Sequence, residues 1–363
     1  MNCPLDELVL CPNATTATNT VLRNFRWEDG DKVIYTSGVY GALEKTIESI
    51  LEDPRPVGIK VDLDLPNSPE EIVSRFRAAL QREKTLCELT GRGTVRLAIF
   101  DTIVSMPGLR MPFEQMTQVC REEGVLSMID GAHGLGHLDI DLAKLDPDFF
   151  TSNCHKWLFV PRAVAAFFVP KRNQQLIRTT LPTSHGFQPQ KKGPVHDPMP
   201  SSAECNPMAK QFEYFGTMDG APYCCIDEAL RFFDVACGGH EAVRLYCTDL
   251  ARRAEELLVR TLGTESFGIS EEERVFFAQV RMPIEVGDDQ DRGQVPEGDV
   301  ALVTDWIHKI FTEDYQTYLY LLYYRGGWWA RLSVAVYVDW EDCEYAARVL
   351  KEVSERVRKG EYK

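Results

Sequence analysis

The stretch Val125–Trp157, VLSMIDGAHGLGHLDIDLAKLDPDFFTSNCHKW, decides how this chain is read. An apolar run, Leu126–Ile129, stops at Asp130. A second, Phe149–Phe150, passes through a short polar segment to His155 and Lys156. Apolar runs with charged residues just past their carboxyl ends are the pattern of an open α/β sheet, whose ligands sit outside those ends. Outward from this stretch, strand-like and helix-like segments alternate. Leu8–Leu10 leads into PNATTATNTVLRNF, and Lys32–Thr36 into a helix from about Tyr40 to Leu51. Val57–Val61 leads into a helix from about Pro69 to Gln81, capped by Asn67 or Ser68, and Val95–Phe100 into a helix over Phe113–Glu123. This alternation predicts right-handed βαβ units and a mainly parallel sheet. Ala163–Val169 follows Lys156 too closely for a crossover helix.

Composition narrows the class. With 363 residues, 44% apolar and 26% charged, the chain has ample core for one large domain or two ordinary ones. A net charge of −15 argues against nucleic acid or an anionic membrane surface as partner. No apolar run approaches the roughly 20 residues of a membrane helix, and MNCPLDELVL lacks a signal-peptide pattern. The eleven cysteines form no CxxC pair, which predicts reduced thiols in a cytoplasmic protein and no metal site.

An Asp and a Lys brought to one sheet edge suit pyridoxal phosphate (PLP), which needs an amine for its aldehyde and an anion for its pyridinium nitrogen. The segments DGAH and SNCHKW resemble the class V aminotransferase family of PLP enzymes, in particular its isopenicillin N epimerase-like branch and fungal hercynylcysteine sulfoxide lyase relatives. The resemblance implies a seven-stranded, mainly parallel α/β domain, with Ala163–Val169 as its antiparallel strand, followed by a smaller α+β domain. The expected domains are 1–235 and 236–363, and the long segment that precedes the phosphate loop in the family is expected to be absent here.

The resemblance also implies roles. Lys156 is the amine that carries the cofactor and moves the α-proton; a single lysine reads by default as a surface residue, but the flanking His155 and Trp157 argue against a solvated face. Asp130 pairs with the pyridine nitrogen, although an Asp before Gly131 is also a common turn residue. His133 contacts the ring hydroxyl, and His155 and Asn153 reach the phosphate. Thr15 and Thr16, at a strand-to-helix junction, match the phosphate loop; without the resemblance they read as an ordinary N-cap. Tyr40 matches the ring-stacking position, though a core tyrosine fits as well. Thr217, in FGTMD, matches a segment that reaches the neighbouring subunit's phosphate, implying a homodimer. His185, in TSHGF, is a candidate substrate contact. Arg331, in WWARLSVAVY, matches the arginine that holds the substrate carboxylate. An arginine within an apolar strand points to that role even from the residues alone, because it is costly to bury unpaired.

The glycines of GAHGLGH lack the third glycine and the helix context of a dinucleotide fingerprint. No cysteine lies between Thr264 and Arg331, where desulfurases of this class carry their sulfur acceptor, so a persulfide relay is disfavoured. The expected activity is a C–S lyase acting on a cysteine sulfoxide. The alternatives are an aminotransferase, an epimerase, a cyclising or substituting enzyme, and a non-catalytic paralogue. Further expectations are a connection rich in Pro, Ser and Lys over 178–211 and a long helical stretch from about Pro222 to Leu262, broken near Gly238–Gly239. Strand-like Val275–Arg281, a helix over Val300–Phe311, a strand over Trp329–Val336 and a C-terminal helix from Trp340 complete the chain.

Overall fold

Seven strands form the first sheet of the computed structural model: β1 (Leu8–Cys11), β2 (Lys32–Thr36), β3 (Val57–Val61), β4 (Val95–Asp101), β5 (Leu126–Asp130), β6 (Phe149–Asn153) and β7 (Ala165–Phe168). Their order is β1-β7-β6-β5-β4-β2-β3. The block from β6 to β3 is parallel throughout, whereas β7 runs antiparallel to both β6 and β1. Reversing direction twice puts β1 back in the direction of the parallel block. The carboxyl ends of β1, β4, β5 and β6 therefore share one edge. The structure describes residues 1–185, 187, 189 and 206–363. These fall into two units, Met1–Ser105 with Met111–Phe232, and Met106–Arg110 with Phe233–Lys363.

In the first unit, β4, β5 and β6 are almost wholly buried, as expected of parallel strands covered on both faces. The connecting helices are α1 (Ala14–Asn24), α2 (Gly41–Ile50), α3 (Pro69–Thr90) and α4 (Phe113–Glu123). Val21 and Leu22 of α1 and Ile47 of α2 lose all exposure in one cluster with Val33, Leu97, Met128, Phe149 and Phe167. Each such side chain contributes roughly 1.5–3 kcal/mol of burial. Helix α3 opens with the Ser68 side chain accepting from Glu71 N, and it runs past the expected Gln81 to Thr90. Its buried stripe of Ile72, Phe76 and Leu80 continues through Glu83 and Cys87, and no breaker intervenes before Gly91 takes a left-handed φ of 63°. Short helices follow: α5 (Leu142–Leu145), α6 (Cys154–Trp157), α7 (Pro207–Phe212), α8 (Ala221–Cys224) and α9 (Ile226–Arg231). The expected connection over 178–211 lies partly outside the described residues.

The helix expected from Pro222 to Leu262 is subdivided. After α9, a π turn over Phe232–Ala236 and positive φ angles at Gly238 and Gly239 precede α10 (His240–Leu262). The second unit also contains α11 (Val300–Glu313), α12 (Trp340–Arg358) and an antiparallel sheet, β8-β10-β9. Its strands are β8 (Phe277–Arg281), β9 (Tyr320–Tyr324) and β10 (Gly327–Ser333). The sequence reading missed β9 and set β10 too far along. Arg325 and Gly326, both at positive φ, make the tight hairpin that brings β9 back against Trp328 and Trp329. Asp339 and Asp342 form a reciprocal capping box that starts α12. Among the described residues no helix is long and apolar enough to cross a membrane, and the described cysteines are free thiols.

Candidate active site

The site is built where β4, β5 and β6 end. Asp101 and Asp130 are register partners at the ends of β4 and β5, both buried. Asp130 Oδ1 accepts Ala132 N at 2.9 Å. Burial pushes the Asp130 carboxyl above its ordinary range, and the Ala132 N–H pulls it back, as does Lys156 whenever it carries a proton. Burial raises Asp101 well above its ordinary range, with the adjacent Asp130 charge adding to it and Lys156 opposing. Asp101 Oδ1 and Thr102 Oγ1 are buried without a hydrogen-bond partner among the described residues. Sequence reasoning overlooked Asp101. The rule that picked out Asp130, a charge just past an apolar run, applies equally to VRLAIFD.

After β5 the chain turns through GAHGLGH. Gly136 sits at φ +82°, and a Cβ there would lie 2.4 Å from the Trp157 carbonyl oxygen. That close approach, rather than nucleotide binding, accounts for the glycine. It brings the turn against α6, so His133 Nε2 stands 3.0 Å from Lys156 Nζ. Trp157 Nε1 donates to His133 Nδ1 at 3.1 Å, and the buried His137 ring meets the Trp157 ring edge-on at 4.7 Å. His155 Nδ1 is fixed against the Val164 backbone, and burial holds this imidazole below its ordinary pKa.

The turn from β1 into α1 reaches the same edge. Asn153 Oδ1 accepts Ala14 N at 2.9 Å, joining the end of β6 to the start of α1. Asn13 caps that helix through Thr16 N and Thr16 Oγ1, while Thr15 faces solvent. The structure thus brings together Asp130, His133 and Lys156, and it ties Asn153 to the Thr15–Thr16 turn. Tyr40 precedes α2 and is 51% exposed. His185 packs edge-on against Tyr214 at 4.8 Å. Thr217 is exposed beside an apolar groove of about 610 Å3 that runs along β1 and includes Leu8, Leu10, Phe212 and Tyr223.

Arg331 belongs to the second unit, on β10 between Gln279 of β8 and Tyr320 of β9. Its guanidinium lies over the Phe277 ring at 4.2 Å and the Tyr320 ring at 5.1 Å. Burial lowers its pKa to about 10, so it stays charged at neutral pH. Gly108, at φ +79°, packs where a Cβ would strike Gln279 and the Arg331 stem, and Gln279 Nε2 donates to its carbonyl at 2.6 Å.

A primary amine and a buried carboxylate at the carboxyl edge of a mainly parallel sheet, beside a hydroxyl-bearing helix N-terminus, define a PLP-dependent enzyme of fold type I. The family model for aminotransferase class V matches residues 79–283. An L-cysteine desulfhydrase-like protein of Epichloe uncinata is 36% identical over 98% of this chain and 82% of its own length. The hercynylcysteine sulfoxide lyase of Schizosaccharomyces pombe is 30% identical over 95% of this chain and 79% of its own length. Among solved structures, the cystine C–S lyase C-DES in complex with cysteine persulfide superposes with a TM-score of 0.69 at 18% identity, covering 96% of this chain and 82% of that one. The chain belongs to the class V aminotransferase family.

PLP fits the residues present. The Asp130 carboxyl is raised by burial, and a protonated pyridine nitrogen beside it would favour its anionic form. At the start of α1 the exposed Thr15 hydroxyl faces outward beside the Asn13 cap, where a phosphate would meet the positive end of the helix.

Proposed function

We propose that this chain is a C–S lyase that cleaves a cysteine sulfoxide or a related S-substituted cysteine by β-elimination. The observation that carries the reading is the Lys156 amine held by His133 beside the buried Asp130. The desulfhydrase-like and sulfoxide lyase relatives support the choice of bond. When bound, PLP supplies an electron sink for negative charge at the substrate α-carbon. When PLP is bound, Asp130 would keep its ring nitrogen protonated and His133 would contact its ring oxygen. Thr15, Thr16, Asn153 and His155 would hold its phosphate, and Tyr40 would stack on the ring. Arg331 takes the substrate carboxylate in bidentate fashion, with His185 as a further substrate contact.

Lys156 then removes the α-proton. The Cβ–S bond breaks with its electron pair leaving on sulfur, and the remaining enamine takes up water to give pyruvate and ammonia. The enzyme is read as a cytoplasmic homodimer. The exposed Thr217 beside the apolar groove along β1 supports a second copy there.

The test is the visible spectrum of the purified protein with PLP, before and after a cysteine sulfoxide is added, with pyruvate assayed in parallel. A band that shifts on addition, with pyruvate released, is expected. A PLP band indifferent to every amino acid offered would overturn the lyase reading in favour of a cofactor-binding paralogue.

A further inference from the structure

Trp157 is 7% exposed and His133 8% exposed, so their contact is shielded from water. An indole N–H is a donor and never an acceptor. Because Trp157 Nε1 points its hydrogen at His133 Nδ1, that nitrogen must offer a lone pair. A neutral imidazole accepting through Nδ1 carries its proton on Nε2, and a doubly protonated ring would set N–H against N–H. His133 Nε2 is the atom 3.0 Å from Lys156 Nζ. An ammonium there would again oppose two hydrogens. One arrangement satisfies both contacts: the indole donates to the imidazole, and the imidazole donates to the lone pair of an uncharged amine.

We propose that Trp157 is a positioning residue that locks His133 in its Nε2–H tautomer, so that a donor always faces the Lys156 nitrogen and holds the amine as free base. The catalytic meaning of the lock rests on the PLP reading above; the tautomer itself does not. The buried Asp130 charge draws a proton toward Lys156 and works against the free amine. Without the indole N–H, the ring is able to carry its hydrogen on Nδ1 and turn an accepting Nε2 toward Lys156, which then becomes ammonium and loses its nucleophilic lone pair. The same Nε2–H suits a ring oxygen of the cofactor. Two features hold the indole in place independently of His133: the close approach of Gly136 to the Trp157 backbone, and the edge-on ring of His137.

The direct test is the nitrogen spectrum of 15N-histidine-labelled protein without PLP, with the His133 signal assigned by its loss in His133→Gln. The wild type is expected to show an unprotonated Nδ1 and a protonated Nε2, and Trp157→Phe a mixture of tautomers. A His133 that is protonated on Nδ1 or doubly protonated at neutral pH overturns the proposal. The wild-type spectrum decides this even where Trp157→Phe fails to fold, and whether or not the protein turns over any amino acid.

A second test separates the lock from mere packing. A glutamine amide carries a fixed acceptor and a fixed donor and has no tautomer to lock. Trp157→Phe should therefore cost about ten-fold in the elimination rate with His133 present, and only a small fraction of that in the His133→Gln background. Equal costs in the two backgrounds would assign Trp157 a structural role and remove the proposal.

Discussion

Two buried charged groups in this molecule are held by opposite means. In the first unit, Asp101 and Asp130 lie side by side at a strand edge, and burial raises both carboxyls. In the second, the Arg331 guanidinium is faced by the rings of Phe277 and Tyr320, whose π electrons offset part of the lost hydration. The raised carboxyl pair favours a nearby cation. The arginine arrives with aromatic support for its charge. In the proposed function the carboxyl of Asp130 takes the cofactor nitrogen and the guanidinium of Arg331 takes the substrate carboxylate.

The sharpest way to break this contrast is Lys156→Ala. Losing both the amine for PLP and the general base should lower turnover by about a thousand-fold or more. Borohydride reduction followed by mass analysis should find no covalent cofactor, and a retained adduct would displace Lys156 from the site. Next comes Arg331→Ala, which should raise KM about ten- to a hundred-fold while changing kcat less. An unchanged KM would mean that the supported guanidinium serves packing alone.

The smallest effect concerns stability and isolates the carboxyl pair. Because the folded-state pKa of Asp101 is raised, the folded protein binds its proton more tightly than the unfolded chain does. Stability from this group is present at low pH and is lost as pH rises from the ordinary carboxylate range through the raised value. Asp101→Asn should remove that loss. Melting curves of cofactor-free protein at pH 7 should show the variant equal to wild type or a few degrees higher, on the order of 1 kcal/mol, with the gap closing toward pH 4. A variant that melts lower at pH 7 would mean that Asp101 is engaged as an anion.

Much of this was readable from local pattern. Strands β2 and β3 and helix α4 coincide with their sequence readings, because period and punctuation agree there: KVIYT and VGIKV are short β-rich runs, and Gly124 ends α4 in the left-handed region. The length of α3 was not readable, since its stripe continues through a charged residue, Glu83, buried with Lys32 at 2.7 Å and Arg82 at 2.9 Å as ion partners. Strand β9 was missed because YLYLLYY carries no polar alternation and its partner is itself aromatic. Within the site, the types and positions of Asp130, His133 and Lys156 stood out from motifs. The direction of hydrogen bonding among His133, Lys156 and Trp157 did not, because it depends on a contact between residues 24 apart in the chain and on which ring nitrogen faces which neighbour.

The placement of β1 carries a consequence for the order in which the molecule assembles. Of the seven strands it is synthesised before the other six, yet it lies at the outer edge of the sheet, where among the described residues it pairs with β7 alone, Leu8 facing Phe168 and Cys11 facing Ala165. At roughly 5–20 residues per second of translation, the nascent β1 waits on the order of ten to thirty seconds for that partner to be made. Lys156 and the parallel strands around it are already synthesised by then. The Asn13–Thr16 turn is thus made before Asp130, His133 and Lys156 and is secured by its strand after them.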